Sequence, residues 1–403
     1  VYLPQLDEFI LRQEELDLVK PDIYEADVIL MEGLMGQHIA VNLAKKFKKP
    51  IVAVGCCTST DVTAGLKAAG FEAYGAVRME DTWKIMQVLR ARKGIRNTRV
   101  LSILKGDIIS KGVESNITDL IGLTNTYGIK FMNAGEFLDE IGKLTEEEIK
   151  EAEAVADDLI GGAKYNAMSR DYVVRSCKVY VTAKKMLSLY DCNAFTIPCF
   201  EICATHRLNN EKYTFCLTHS LLKEEGIPSA CEADYSALVA MIVMMNILDN
   251  APHMGNLHPA LPHEIPENLK DNQNLLKMFH AVPTRYMHGR DCQKADYAIR
   301  SFTAGNWGAT IRYDFDQDKD EKITLIRCNP QATGMMAGRA TILQGHGYDN
   351  IGCDIGYFAE VEDINVFFDR MCEYGHHYVW AYGDVSDVLK KVGEATGFQV
   401  EVV

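Results

Sequence analysis

The chain has 403 residues, too many for one ordinary hydrophobic core, so two or three domains are expected. Its 56 acidic against 42 basic residues leave a formal charge of -14, relieved by no Lys/Arg block, which argues against nucleic acid and anionic membrane surfaces as partners. The 12 cysteines are scattered without a paired framework, as expected for free thiols in a reducing, cytoplasmic compartment.

From Ala26 onward, β-rich runs alternate with amphipathic stretches: "DVILMEG", "MGQHIAVNLAKKF", "PIVAVG", "STDVTAGLKAAG" and "FEAYGAV". This alternation predicts βαβ units and a first Rossmann-like lobe over residues 1–95. It carries neither a G-x-G-x-x-G nor a G-x-x-x-x-G-K-[ST] fingerprint, which counts against a dinucleotide or nucleotide triphosphate site. Adjacent Cys56 and Cys57 follow the second strand and are read as structural. A second α/β lobe is expected over 96–252, opening with the strand "TRVLSILKGD" and containing the long helical pattern "YVVRSCKVYVTAKKMLSLY". The apolar run Ala237 to Leu248 falls short of the roughly 20 residues that span a bilayer, so it predicts a buried helix.

A Pro- and Asn-rich stretch, "DNAPHMGNLHPALPHEIPENLKDN", then marks a boundary and reads as irregular. Beyond it, over 253–403, short β-like segments at regular spacing suggest an antiparallel sheet or barrel, with Trp307 filling its interior. "DFDQDKDEK", with Asp314, Asp316, Asp318 and Asp320, imitates a calcium loop but lacks the required glycine and terminal glutamate, and reads as a solvated hairpin turn. The fold class expected is therefore α/β: two Rossmann-like parallel-sheet lobes followed by a C-terminal domain with an antiparallel β-barrel.

Two features carry chemistry. At the head of the buried helix, "SACEAD" places Ser229 three residues before Glu232, the pattern of a capping box, with Asp234 as an exposed first-turn carboxylate. Near the chain end, "YGHHYVWAYGD" sets His376 and His377 at the start of a strand, where alternation sends one imidazole inward. Between them, "PHMGNLHP" offers Asn256 and His258, and a divalent metal readily combines imidazole with oxygen donors.

"EEGIPSACEADYSALVAMIVMMNIL", "PHMGN", "LLKMFHAVP" and "GHHYVWAYGDVSDVLKKVGEATGFQVEVV", in that order, resemble the L-fucose isomerase / L-arabinose isomerase superfamily, particularly its shorter members. The resemblance covers residues 190 to 403 by motif and the first lobe by fold pattern only. It implies a metal-dependent aldose-ketose isomerase working through an enediol on a sugar or deoxysugar. It further implies a divalent cation, Mn²⁺ first and Mg²⁺ or Co²⁺ as alternatives, held by Glu232, Asn256 and His377. Glu232, Asn256 and His258 stand at catalytic positions, although an amide at Asn256 replaces the carboxylate of longer members and cannot carry a proton. His280, Trp307 and His376 are the substrate-binding candidates. A homo-oligomer, trimeric or hexameric, is implied too, and the shortfall in length is expected at the N-terminal end. The alternatives are a metal-dependent lyase or epimerase using enediolate chemistry, and a non-catalytic carbohydrate-binding relative.

Overall fold

The computed structural model describes residues 21–32, 37–55, 57–104, 117, 120–203 and 206–403. The chain divides into two compact units, residues 1–89 and 90–403. In the first unit, β1 (Ile29–Glu32), α1 (Gln37–Phe47), β2 (Ile51–Val54), α2 (Cys57–Ala68) and β3 (Ala73–Ala76) alternate as the sequence predicts. The three strands pair in parallel in the order β1-β2-β3. The apolar stripe of α1, Ile39, Leu43 and Phe47, packs with Ile51, Val62 and Leu66 to form this unit's core. Cys57 is an exposed free thiol at the start of α2, and Cys56 lies outside the described residues. Helix α3 (Thr82–Arg96) spans the division between the units.

The second unit begins with β4 (Val100–Leu104), α4 (Leu120–Tyr127), β5 (Lys130–Asn133), α5 (Ala134–Ile141), α6 (Glu146–Gly162), β6 (Tyr165–Asn166) and α7 (Arg170–Leu189). It continues through β7 (Ala194–Thr196), α8 (Cys199–Cys203), α9 (His206–Glu211), α10 (Cys216–Glu224), β8 (Ser229–Ala230) and α11 (Tyr235–Ile247). Strands β5-β4-β7-β8 form a four-stranded parallel sheet. Helix α11 is apolar on all sides, and all of it from Tyr235 to Met245 is buried. Among the described residues, no helix is long and apolar enough to cross a membrane.

The chain then runs through β9 (His253–Pro259), β10 (Leu275–Phe279), β11 (Tyr297–Ser301), β12 (Ala309–Tyr313), β13 (Lys322–Cys328), β14 (Gly334–His346) and β15 (Gly356–Glu360). It ends with α12 (Ile364–Tyr374), β16 (His377–Tyr382), α13 (Ser386–Thr396) and β17 (Gln399–Val402). Strands β13-β16-β9-β10-β15-β14 pair antiparallel in that order, and β14 closes onto β13. Six strands thus form a closed barrel with no unpaired edge inside the ring, and β17 adds in parallel along β14. The barrel core is aromatic: Phe315, Tyr357 and Trp380 pack with ring centroids 5.0–6.0 Å apart.

Four expectations are corrected here. The stretch around Asn256 and His258 is not irregular but strand β9, because its alternating side chains take up register between β10 and β16. The segments of β11 and β12 do not enter the barrel; they pair with each other, and β11 pairs with β6 from the preceding lobe, in a separate three-stranded sheet. Trp307 therefore sits in the β11–β12 turn under the Lys212 ammonium, 5.5 Å from its ring, and Trp380 takes the barrel interior instead. The aspartate-rich turn is also more than solvated. Asp314 caps a short 3₁₀ turn over Phe315–Asp318, and Asp318 is buried, accepting hydrogen bonds from Tyr313 and Tyr382.

Two glycines let the barrel strands close around this geometry. A Cβ on Gly356 would lie 1.9 Å from the Met278 carbonyl oxygen, and one on Gly255 would lie 2.8 Å from that of Phe279. Both meet backbone, which cannot rotate away. Gly356→Ala should cost about 1–3 kcal/mol, the usual range for overpacking, and would register as a lowered midpoint in chemical denaturation.

Candidate active site

Glu232 does not cap α11. The helix begins at Tyr235, and its N-cap is Asp234, whose Oδ1 accepts from the Ala237 backbone N–H at 3.0 Å. Ser229, the other half of the expected capping box, lies on β8 with its hydroxyl 2.8 Å from His219 Nδ1. Glu232 and Ala233 instead form a left-handed turn, with φ of 63° and 53°. Such backbone costs a non-glycine residue on the order of 1–2 kcal/mol and marks a position held for another reason. The holding contacts are visible: the Glu232 N–H donates to Cys199 Sγ at 3.3 Å, and the Ala233 N–H to the Ile197 carbonyl at 2.9 Å.

The turn throws the Glu232 carboxylate toward two imidazoles. Its Oε2 lies 3.3 Å from His377 Nε2, and its Oε1 lies 3.8 Å from His280 Nε2. The two rings stack with centroids 5.5 Å apart and planes inclined by 21°. His377 Nε2 and both ring nitrogens of His280 are buried without a hydrogen-bond partner. Burial, followed by the neighbouring His377, His253, His219 and Lys223, holds His280 well below the usual histidine range, so its ring is neutral.

Asp234 is the reverse of an exposed carboxylate. It is fully buried, its Oδ2 lies 3.0 Å from His377 Nδ1, and the same oxygen accepts from Arg327 Nη1 at 2.9 Å. Burial pushes its pKa up, but Arg327 and His377 outweigh that and hold it at about 2. An ionised Asp234 can only accept, so His377 donates from Nδ1, and its other ring nitrogen, Nε2, faces Glu232. Two residues apart in sequence, Glu232 and Asp234 thus reach opposite nitrogens of one imidazole. The arginine is fixed in turn by the carbonyl of Tyr374 at 2.6 Å and by that of His377 itself.

Asn256 pairs in register with His377 on one side and Phe279 on the other, so these three residues share a face of the barrel wall. His376, immediately before β16, is half-buried, with its ring centroid 4.4 Å from that of His377. Burial and then the neighbouring His377 lower it to about 4. His258 lies farther along β9, its Nδ1 2.8 Å from the Pro259 carbonyl and its Nε2 3.8 Å from Glu264, so the structure does not bring it to Glu232. Trp307 lies in the turn between β11 and β12, against Lys212, in the separate three-stranded sheet.

Several supporting residues escaped the sequence reading. Lys223 is a fully buried cation whose ammonium donates to the carbonyls of Pro252 and Val282, tying the entry of β9 to the segment after His280. Burial lowers it to about 7. His253 accepts at Nδ1 from Trp380 Nε1 and so donates from Nε2 to the His280 carbonyl at 2.8 Å. Nothing in a single sequence separates such residues from ordinary strand and helix positions.

Two curated proteins described as sulfoquinovose isomerase, from Priestia aryabhattai and Priestia megaterium, are each 22% identical to the chain over 325 residues. The matches cover 79% of this chain and 66% of theirs, so the chain spans just under two thirds of the length of these relatives. No protein-family profile matches it. The likeness that the comparisons carry is a distant one, and it is to sugar isomerases.

Proposed function

We propose that the chain is a metal-dependent isomerase of an aldose, working through an enediol at Glu232. The observation that carries this reading is the convergence of one carboxylate with buried imidazole nitrogens that have no hydrogen-bond partner, where the turn before α11 meets the barrel strand β16. The distant likeness to proteins described as acting on sulfoquinovose supports a sugar substrate and makes a sulfonated aldose the first to try.

The donors fit a divalent cation. Glu232 and His377 would hold it, with Asn256 beside His377 able to add an amide oxygen, and the His377–Asp234 contact is the carboxylate–histidine support that metal-binding imidazoles commonly have. When bound, Mn²⁺ or a similar ion supplies Lewis-acid polarisation of the substrate oxygens. Glu232 is the base: held by its strained turn, it takes the proton from C2 of the open-chain sugar. Asp234 is committed to Arg327, His377 and the helix cap, and Asn256 cannot carry a proton. One carboxylate therefore removes the proton from C2 and returns it to C1 on the same face of a cis-enediol, while the hydroxyl proton of O2 passes to O1, so that C1 becomes an alcohol carbon and C2 the ketone.

Glu232→Gln should lower kcat by about 10²–10⁴-fold, the span of a general base, while leaving the melting temperature close to that of the parent. The assay is conversion of a panel of aldoses, 6-sulfonated glucose included, with added Mn²⁺. In deuterated solvent, a single base predicts that part of the C2 hydrogen reappears at C1; complete washout would point to two bases, and fragments of lower carbon number to a lyase.

Asp234→Asn removes the buried charge that faces the Arg327 guanidinium and should cost about 3–5 kcal/mol of stability, with a 10–100-fold loss of Mn²⁺ affinity. For the parent protein the sign follows from linkage. The folded carboxyl sits at about 2, below its ordinary 3.8, so its stabilisation is complete above the ordinary value and is lost as pH falls through the folded one. Parent and variant should therefore differ most in stability near neutrality and converge in acid, as read by denaturation at stepped pH.

A further inference from the structure

We propose that Cys199, His219 and Cys231 form a binding site for a thiophilic divalent cation, zinc above all; it adjoins the Glu232 donors, since Cys231 also lies within 4.8 Å of donor atoms of Glu232 and His280, but it does not rest on the isomerase reading. Cys199 follows β7 and Cys231 follows β8, so both thiols sit at the carboxyl ends of adjacent parallel strands, where open α/β sheets place ligands. His219 comes from α10, which packs against β8. The donor atoms of the three residues lie within 4.8 Å of one another, and the two sulfurs are 2.8 Å apart. Zinc–sulfur and zinc–nitrogen bonds of about 2.3 and 2.0 Å put tetrahedral donors roughly 3.5 Å apart, so small side-chain shifts would complete the geometry.

A second observation points to a ligand. His219 is fully buried, and its Nε2 has no partner, while Nδ1 lies 2.8 Å from the Ser229 hydroxyl. That is the arrangement of a metal-bound imidazole, with one nitrogen for the ion and the other oriented by a polar neighbour. Charge selects the kind of ion. Two thiolates and a divalent cation sum to zero, which limits the cost of burial, and thiolate donors favour zinc over the harder magnesium or manganese. Loading displaces one proton from each thiol into solvent. Because the Glu232 N–H donates to Cys199 Sγ, a filled site would also stiffen the left-handed turn that presents Glu232. Buried thiols merely hydrogen-bonded to each other are the competing explanation, but they leave the His219 nitrogen unaccounted for.

The test uses the whole chain, expressed with zinc, analysed for metal, then stripped by chelator and reloaded with Co²⁺. About one zinc per chain is expected, and the cobalt form should show a thiolate-to-metal charge-transfer band in the near ultraviolet. The band should persist in Glu232→Gln and His377→Gln, weaken in Cys199→Ser and in Cys231→Ser, vanish when both cysteines are replaced, and shift in His219→Gln. Cobalt bound only at the carboxylate and imidazole donors would give visible bands without that charge transfer, so failure here is distinguishable from failure of the isomerase reading. The proposal is overturned if saturated parent protein shows no such band, or if the band survives loss of both cysteines. The parent spectrum decides even if a cysteine variant fails to fold. A Cys199–Cys231 disulfide that forms in protein kept with zinc would also overturn it.

Discussion

The contact between Asp234 and His377, closed on its far side by Arg327, is the constraint on which the site depends. One carboxylate caps α11, fixes an imidazole of β16 and neutralises a guanidinium of β13, so a helix of the second lobe and two barrel strands are joined at a single residue. Each partner is fully or almost fully buried. A charge taken so far from water is tolerated only when paired and hydrogen-bonded, and the arginine also donates to the carbonyls of Tyr374 and His377. The cluster sets where the barrel stands relative to the lobe that precedes it within this unit.

Upon that fixed base the chain can hold strained backbone. Consecutive left-handed residues at Glu232 and Ala233 would relax if either end were loose. The far end is Asp234, immobilised as above; the near end is pinned by Cys199 Sγ and the Ile197 carbonyl. The resulting direction of the Glu232 side chain brings an acceptor against the unpartnered nitrogens of His377 and His280. Groups that go unsatisfied on their own would be reconciled by a shared cation, which is the physical content of the proposed function.

The parts of this arrangement that are periodic were legible in the sequence. Alternation from "DVILMEG" to "FEAYGAV" revealed the first parallel sheet, and regular turn spacing revealed the barrel. Glu232 and His377 were singled out by their place in a recognisable order of motifs, which pattern alone could not have done. Long-range pairing was hidden. Strands β11 and β12 carry the same alternation as barrel strands, and only the partner β6, more than 130 residues earlier, removes them to another sheet. Ser229 and Glu232 imitated a capping box because capping residues and acidic ligands share a composition; the true cap, Asp234, differs by a backbone turn that no propensity encodes. Arg327, Lys223 and His253 look like isolated polar residues in apolar elements, since their partners come from distant strands and loops.

The central claim is that Glu232 and His377 share a cation. A crystal of the protein grown with Mn²⁺, measured on both sides of the manganese absorption edge, tests it most directly. The account predicts an anomalous peak about 2.0–2.3 Å from both Glu232 Oε2 and His377 Nε2, the ordinary range for such bonds. A well-occupied manganese elsewhere, with Glu232 and His377 bonded directly to each other across a dry gap, would contradict it.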